Sequence, residues 1–139
     1  MPLWKMYHTA GTLNDEHKAE LAERITKMAY PILPVFYVGV VFEEIKESDF
    51  YIGGKPAERF VRIWVDHIAR TLPTPEHRLR WLGMAREALE PMFSKLGIRW
   101  EMHVDETTRE LWLIQGLVPP MQNTEAEAKW KTDNEPSPY

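Results

Sequence analysis

The chain has 139 residues, of which 44% are hydrophobic and 27% charged, a composition typical of one globular domain. Its 17 Lys and Arg against 21 Asp and Glu give a formal net charge of −4, which disfavours a dedicated nucleic-acid-binding protein. The absence of cysteine excludes disulfides, thiolate metal sites and a cysteine nucleophile. The longest apolar stretch, residues 29–42, contains two prolines and falls short of the ~20 residues that span a bilayer. We therefore expect a cytoplasmic protein with neither nucleic-acid nor membrane partners.

The first half of the chain predicts a strand, a helix and a second strand. Residues 2–8 (PLWKMYH) alternate as a strand does, and Asn14 is a plausible cap for a helix that continues to about Tyr30. Pro31 and Pro34 end that helix. The next segment, VFYVGVVFEE over 35–44, is nearly all β-branched or aromatic, which predicts a strand buried on both faces, as in the middle of a layered α/β protein.

The second half repeats this pattern. A Gly53-Gly54 turn precedes a strand, FVRIWVDHIA, and Thr74-Pro75-Glu76 marks the start of a second helix. Pro91 is predicted to kink this helix and Gly97 to end it before a last strand, IRWEMHV. The expected buried stripe of the helix is Leu79, Leu82, Ala85, Leu89, Met92, Phe93 and Leu96.

Two strand–helix–strand units predict an α/β (α+β) fold, in which a four-stranded sheet carries both helices on one face. Repeat one covers about residues 2–44 and repeat two about 59–104, within a domain of residues 1–120. The uncovered sheet face predicts contact with other copies of the chain. Residues 121–139 are expected to form an arm that contains one or two helical turns and then packs on a neighbour or frays.

These segments, in this order and spacing, resemble the tautomerase superfamily, and more narrowly the fungal-type members of its cis-3-chloroacrylic acid dehalogenase-like group. The resemblance is carried by MPLWKMYH, LAERIT, FYVGVVFEE, YIGG, FVRIWVDHIAR and LIQGLVPP, which together cover most of residues 2–120. It implies a homotrimer that works without a metal or organic cofactor. It also implies that the initiator Met is removed, so that Pro2 becomes an N-terminal secondary amine acting as general base or acid.

The family holds a substrate carboxylate or enolate oxygen with cationic side chains. The HIAR segment aligns with the arginine pair of the dehalogenase and places His67 and Arg70 in those positions. Arginine suits this role because its planar fork binds carboxylates bidentately. His67, in place of an arginine, allows a neutral hydrogen-bond donor instead. The resemblance therefore implies that Pro2, Arg70 and His67 are the catalytic residues.

Three departures argue against dehalogenase activity. The first-helix histidine of the dehalogenase falls on Ala29, with Tyr30 beside it as a substitute. Its water-activating glutamate falls near Ile114, and its tyrosine falls near Met102. Apolar walls are expected from Trp4, Ile63 and Trp112, and further candidate substrate contacts are Tyr30, His103, Trp112 and Gln115.

The sequence thus predicts a cofactor-independent tautomerase or isomerase of specialised metabolism. Its substrate would be a small carbonyl, enol or unsaturated acid. One alternative is a lyase, hydratase or cyclase that uses the same proline. Another is a trimeric binding protein that kept the fold without the activity. The five dispersed histidines show no metal-ligand spacing, which disfavours a metal site.

Overall fold

The computed structural model describes all 139 residues, Met1 to Tyr139, and is built around a four-stranded sheet. The strands are β1 (Leu3–Thr9), β2 (Gly39–Ile45), β3 (Tyr51–Ile52), β4 (Lys55–Pro56), β5 (Phe60–His67) and β6 (Arg99–Glu106). The helices are α1 (Asp15–Arg24), which a π-helical turn continues over Ile25–Ala29, α2 (Pro75–Leu96) and α3 (Glu125–Asp133). None of the helices combines the length and the apolar composition that crossing a bilayer would require.

The sheet joins two strand–helix–strand units side by side. Strands β1 and β2 run parallel, as do β5 and β6, whereas β1 and β5 pair antiparallel at the centre. The resulting order is β2-β1-β5-β6, and β3 and β4 form a separate hairpin. This arrangement confirms the predicted fold class.

One face of the sheet is buried in the core that the helices complete. Alternate positions of β1 and β5 supply it, as the period of a strand requires. The buried residues of these two strands on that face are Trp4, Met6, His8, Val61, Ile63, Val65 and His67. Because β1 and β5 run antiparallel, the start of β1 and the end of β5 lie at the same end of the sheet. The core-facing side chains there are Trp4 of β1 and His67 of β5.

The strand predicted over residues 35–44 is present only in the second half of that range, and it is not buried on both faces. Val35–Tyr37 forms a 3-10 turn that follows Pro34, and β2 begins only at Gly39. Strand β2 lies at the edge of the sheet, where Val41 is 49% exposed. Part of the apolar segment therefore has a different role from the one predicted. Tyr37 is buried from within the 3-10 turn, and β2 pairs with only one strand of the chain.

Helix α2 starts and ends where the sequence predicts, but part of its predicted buried stripe is wrong. Thr74 caps it and Gly97, with φ of +64°, ends it. Trp81 supplies the buried position in the second turn. Leu79 lies two residues away, about 200° around the helix, and is 70% exposed. Leu82 is also exposed.

Pro91 leaves the carbonyl of Glu87 without its helical donor, and Arg24 of α1 supplies a replacement. Arg24 Nη2 donates to the Glu87 oxygen and Nε donates to the Ala88 oxygen, both at 2.8 Å. Helix α2 is continuous from Pro75 to Leu96 despite the proline. The arginine therefore couples α1 to α2 at the position where α2 lacks an internal bond.

Replacing Arg24 with methionine is expected to lower the free energy of unfolding by about 1–3 kcal/mol, because hydrogen bonds from a charged donor are lost. Urea denaturation measures the change. Arg86→Met on the exposed side of α2 is the matched control, and an equal loss in both variants would argue against the role of Arg24.

The opposite sheet face carries charged and aromatic side chains that contact one another within the chain. Lys5 Nζ lies 3.0 Å from Asp66 Oδ2 and 4.4 Å from the centroid of the Trp64 ring. The Trp64 indole donates to Asp105 at 2.9 Å. The face that no helix covers is therefore partly charged rather than uniformly apolar.

The sequence suggested that the last residues fray or pack on a neighbour. In the structure they pack on their own chain. Trp130 of α3 is fully buried, and its ring centroid lies 6.3 Å from that of Tyr37. Its indole donates to the Ser137 oxygen at 2.8 Å, and the Tyr139 hydroxyl donates to the Val118 oxygen at 3.0 Å. Helix α3 is thereby fixed beside the turn that precedes β2.

Candidate active site

Pro2 is buried at the end of the sheet where β1 begins. Its carbonyl accepts a hydrogen bond from the Gly39 amide at 2.9 Å, which continues the pairing of β1 with β2. Leu3 pairs with Asp66, so the same antiparallel register sets Pro2 opposite His67. Met1, by contrast, is 45% exposed. The fold thus presents Pro2 to the core side of the sheet at the end of β5.

His67 and Tyr30 form a buried polar pair among aromatic rings. The Trp4 indole donates to the Tyr30 hydroxyl at 3.1 Å, and that hydroxyl lies 3.5 Å from His67 Nδ1. The Tyr30 and His67 rings stack with centroids 6.0 Å apart, and the Trp81 ring stands edge-on to His67 at 5.2 Å. When Tyr30 donates to Nδ1, the imidazole proton resides on Nε2, which has no hydrogen-bond partner in the chain.

Burial sets the protonation states of this cluster. It lowers the pKa of His67 below the ordinary 6.5, although the nearby Glu106 acts in the opposite direction. It also raises the pKa of Tyr30 well above its ordinary range. His67 is therefore neutral and Tyr30 protonated near pH 7. The same end of the sheet desolvates the Met1 amine and lowers its pKa to about 4.

The buried histidine predicts acid sensitivity. The pKa of His67 is lower in the folded chain than the ordinary 6.5, so below pH 6.5 the unfolded chain binds more protons than the folded one. The free energy of unfolding should fall as the pH drops from 7 to 5, by at most about 1.4 kcal/mol per pH unit for this group. His67→Gln should flatten the slope measured by urea denaturation. His77→Gln, at an exposed position, should not, and a slope unchanged in both would contradict the prediction.

Arg70 forms a bidentate ion pair with Glu127 of α3. Nη1 lies 2.9 Å from Oε1 and Nη2 lies 3.0 Å from Oε2. The side chains are only 18% and 9% exposed. The second carboxylate oxygen also accepts the Asn123 amide proton at 2.9 Å. The resemblance implies that Arg70 holds a substrate carboxylate or enolate oxygen, and in this chain a carboxylate of the protein occupies its fork.

Ala69, the residue before Arg70, has an unusual backbone conformation, and its carbonyl contacts the Arg70 guanidinium. Ala69 has φ of +80°, a conformation that a residue with a Cβ rarely adopts. Its carbonyl accepts a hydrogen bond from Arg70 Nη1 at 2.8 Å. The guanidinium is thereby held between Ala69 and Glu127.

A cavity of about 430 Å³ opens beside Arg70. Its charged lining residues are Arg70, Arg109, Glu106 and Glu110, so positive and negative side chains balance. Tyr37 packs against Trp112 with ring centroids 4.8 Å apart. Burial, aided by the charge of Glu127, raises the pKa of Tyr37 to about 12.

The structure brings together some of the predicted site residues and separates others. Tyr30 and His67 are in contact, and Trp112 is buried against Tyr37. His103 lies on the opposite sheet face, where its ring stacks on Trp64. Gln115 is exposed, with φ of +50° in the turn that Ile114 and Leu117 close. A single chain therefore does not unite His103 or Gln115 with Pro2.

Two important neighbours were not recognised from the sequence. Glu127 is the third residue of α3 and its amide donates to the Thr124 hydroxyl, so the spacing predicts a helix-capping glutamate. Its contact with Arg70 bridges 57 residues, and no local pattern marks it. Tyr37 was hidden in a segment predicted as a strand.

Solved structures include close relatives. A probable enzyme from the thermophilic fungus Aspergillus fumigatus is 40% identical, covers 100% of this chain and 98% of its own, and superposes with a TM-score of 0.94. Native RhCC from Rhodococcus jostii RHA1 is also 40% identical, with 99% of each chain covered and a TM-score of 0.93. Comparison with curated proteins gives no significant match.

More distant similarity supports the fold. N1, a member of the cis-3-chloroacrylic acid dehalogenase family, is 18% identical over 95% of this chain and 97% of its own, with a TM-score of 0.76. The family model Tautomerase_3, described as "Putative oxalocrotonate tautomerase enzyme", matches residues 1–135. The chain therefore belongs to the Tautomerase_3 family of the tautomerase superfamily.

Proposed function

We propose that the protein is a cofactor-independent tautomerase or isomerase in which Pro2, freed by removal of Met1, transfers a proton on a small carbonyl or enol compound. The observation that carries the proposal is the buried position of Pro2 opposite His67, at the start of β1. A specialised-metabolite substrate is supported by the resemblance to fungal-type members of the group.

The surroundings of Pro2 suit a general base. A free prolyl nitrogen is a secondary amine, and burial away from water disfavours its charged form. The Met1 amine, one residue further out, already has its pKa lowered to about 4 by burial. Burial would act on a freed Pro2 amine in the same direction and lower its pKa, which favours the uncharged form that accepts a proton.

His67 and Tyr30 would stabilise the oxygen on which charge develops. The neutral His67 has its Nε2 proton unused within the chain, and Tyr30 holds the ring through Nδ1. Such a preorganised donor stabilises an enolate oxygen more effectively than water does. Pro2 takes the proton from the enol oxygen or the α-carbon, His67 donates to the oxygen, and the protonated Pro2 returns the proton to the other atom.

The proposal is tested with the intact chain. Mass spectrometry first establishes whether Met1 has been removed, because a retained Met1 makes the Pro2 nitrogen an amide without basicity. The enol–keto conversion of phenylenolpyruvate and of its methyl ester is then followed with the wild type and with Pro2→Ala. Equal rates in the two proteins would remove Pro2 from the mechanism. No turnover of either compound by the wild type would favour the binding-protein alternative.

We further propose a homotrimer. The sheet face that contains Trp64 is not covered by any helix of the chain, and β2 and β6 are both unpaired on one side. Doubled-repeat tautomerases, which this chain resembles, close three such sheets around one axis. Size-exclusion chromatography with light scattering should give three times the chain mass of 16.4 kDa, and a monomer at micromolar concentration would contradict the proposal.

A further inference from the structure

We propose that the indole N–H of Trp81 is a second hydrogen-bond donor to the substrate oxygen, beside His67, and that the cavity lined by Trp81 holds an apolar group of the substrate. The inference rests on the proposed function, because it assigns the substrate class of the same site. The substrate it names is a carbonyl or enol compound that carries an aromatic or branched aliphatic group.

Four aromatic rings meet at the buried end of the sheet, and their N–H and O–H groups can be accounted for one by one. The Trp4 indole donates to the Tyr30 hydroxyl at 3.1 Å, and that hydroxyl lies 3.5 Å from His67 Nδ1. The groups left over are His67 Nε2 and Trp81 Nε1, and neither has a hydrogen-bond partner in the chain. These two residues are only 2% and 4% exposed. Because an unpaired buried donor is destabilising, two of them in one cluster indicate a polar ligand atom that pairs with both.

The two rings that carry these donors are in contact. The Trp81 ring stands edge-on to His67 with centroids 5.2 Å apart, and it lies 5.8 Å from the Trp4 ring and 6.0 Å from the Tyr30 ring. A carbonyl oxygen has two lone pairs and can accept a hydrogen bond from each of two donors. No hydrogen bond fixes the indole, so rotation of the Trp81 ring can bring its N–H to an oxygen that His67 holds.

The Trp81 ring also forms one wall of a cavity of about 300 Å³ between α2 and β6. Small-molecule sites span roughly 300–1,000 Å³, so the cavity can take a small group. Its other apolar walls are Leu72, Leu82, Met102 and Val104. An aromatic or branched aliphatic group would be removed from water there, which favours binding.

Two of the three polar residues that line this cavity are used to hold its wall. Glu106 Oε1 accepts the amide proton of Leu72 at 2.6 Å, and Arg78 Nε donates to the Leu72 carbonyl at 2.9 Å. Glu106 is also the residue of β6 that pairs in register with His67 of β5. The cavity is therefore connected to the His67 end of the sheet through two of its own lining residues, Trp81 and Glu106.

The binding test uses methyl benzoate, which has a carbonyl oxygen and an aromatic ring but cannot tautomerise. Nuclear magnetic resonance of the Met1-processed wild type with isotope-labelled tryptophan should show the Trp81 indole proton moving downfield as the ester is added, because a new hydrogen bond deshields it. The Trp100 indole already donates to Glu90 at 3.2 Å, so its signal is the internal control and should stay in place. Methyl acetate, which lacks the ring, should bind at least tenfold more weakly.

The kinetic test uses Trp81→Phe, which keeps an aromatic ring and removes the N–H group. It should lower kcat for enol–keto conversion of the phenylenolpyruvate methyl ester by roughly 10²-fold and change KM much less, as expected for loss of one preorganised donor. Trp100→Phe is the matched control and should retain the wild-type kcat. Leu82→Glu places a charge at an exposed position of the cavity wall and should raise KM with little change in kcat. Circular dichroism verifies that each variant is folded.

An unmoved Trp81 signal at saturating methyl benzoate, or equal kcat in folded Trp81→Phe and Trp100→Phe, would overturn the proposal. So would the absence of any methyl benzoate binding. A changed oligomeric state in Leu82→Glu with an unchanged KM would identify the cavity as an interface between copies of the chain and overturn the substrate assignment. If Trp81→Phe does not fold, the Trp81 signal of the wild type decides. Equal turnover by wild type and Pro2→Ala, with the Trp81 signal still shifted by methyl benzoate, would reject the proposed function alone.

Discussion

Replacing Pro2 with alanine is expected to lower kcat/KM for enol–keto conversion by roughly 10²–10⁴-fold, the usual contribution of a positioned proton-transfer group. Alanine leaves a primary amine on a flexible residue, whereas the proline ring fixes its nitrogen at the buried start of β1. The loss should appear in kcat as well as in kcat/KM, because proton transfer belongs to the chemical step. Stopped-flow absorbance of the enol measures it, after intact mass has verified loss of Met1 in both proteins.

The matched control for this change is Pro73→Ala, an exposed proline ahead of α2, which should retain the wild-type rate. The pH profile gives an independent check. If Pro2 is a base, kcat/KM rises with pH through the pKa of its amine and then levels off. Desolvation should place that pKa below the roughly 8 of an ordinary α-amino group. A rate that falls across neutral pH would instead identify Pro2 as a general acid.

The parts of the fold that depend on local chemistry could be predicted from the sequence. Asn14, Thr74 and Gly97 mark helix ends through caps and a left-handed residue, and they do so in the structure. The strand predicted at FVRIWVDHIA is present as β5. Burial that depends on distant partners was less predictable. Leu79 is exposed because Trp81, rather than Leu79, faces the core.

The candidate site, like the fold, could be predicted from the sequence only in part. Pro2, Tyr30 and His67 lie in segments whose strand and helix positions can be aligned, and the register of β1 with β5 brings Pro2 and His67 to one end of the sheet. The electrostatic state of Arg70 could not be predicted. It depends on Glu127 from a segment that composition suggested would fray or contact a neighbour. Arg70 thus matches a family position while its charge is already compensated by Glu127.

Replacing Arg70 with methionine should be among the most destabilising single changes in the chain. It would leave the carboxylate of Glu127 buried with a single remaining donor, the Asn123 amide. Removing one partner of a buried ion pair costs about 3–5 kcal/mol, because the remaining charge is uncompensated. Urea denaturation at pH 7 should show this loss in the free energy of unfolding.

The double variant Arg70→Met with Glu127→Leu separates the orphaned charge from the value of the pair itself. Two apolar side chains of similar volume remove both charges, and such exchanges are often neutral or stabilising. Stability should therefore return towards that of the wild type. Lys129→Met, which breaks the exposed pair with Asp133 on the same helix, should change little because solvent screens that pair. If the double variant is as unstable as Arg70→Met, the guanidinium contributes through packing and its bond to Ala69, and charge compensation is not its main structural role.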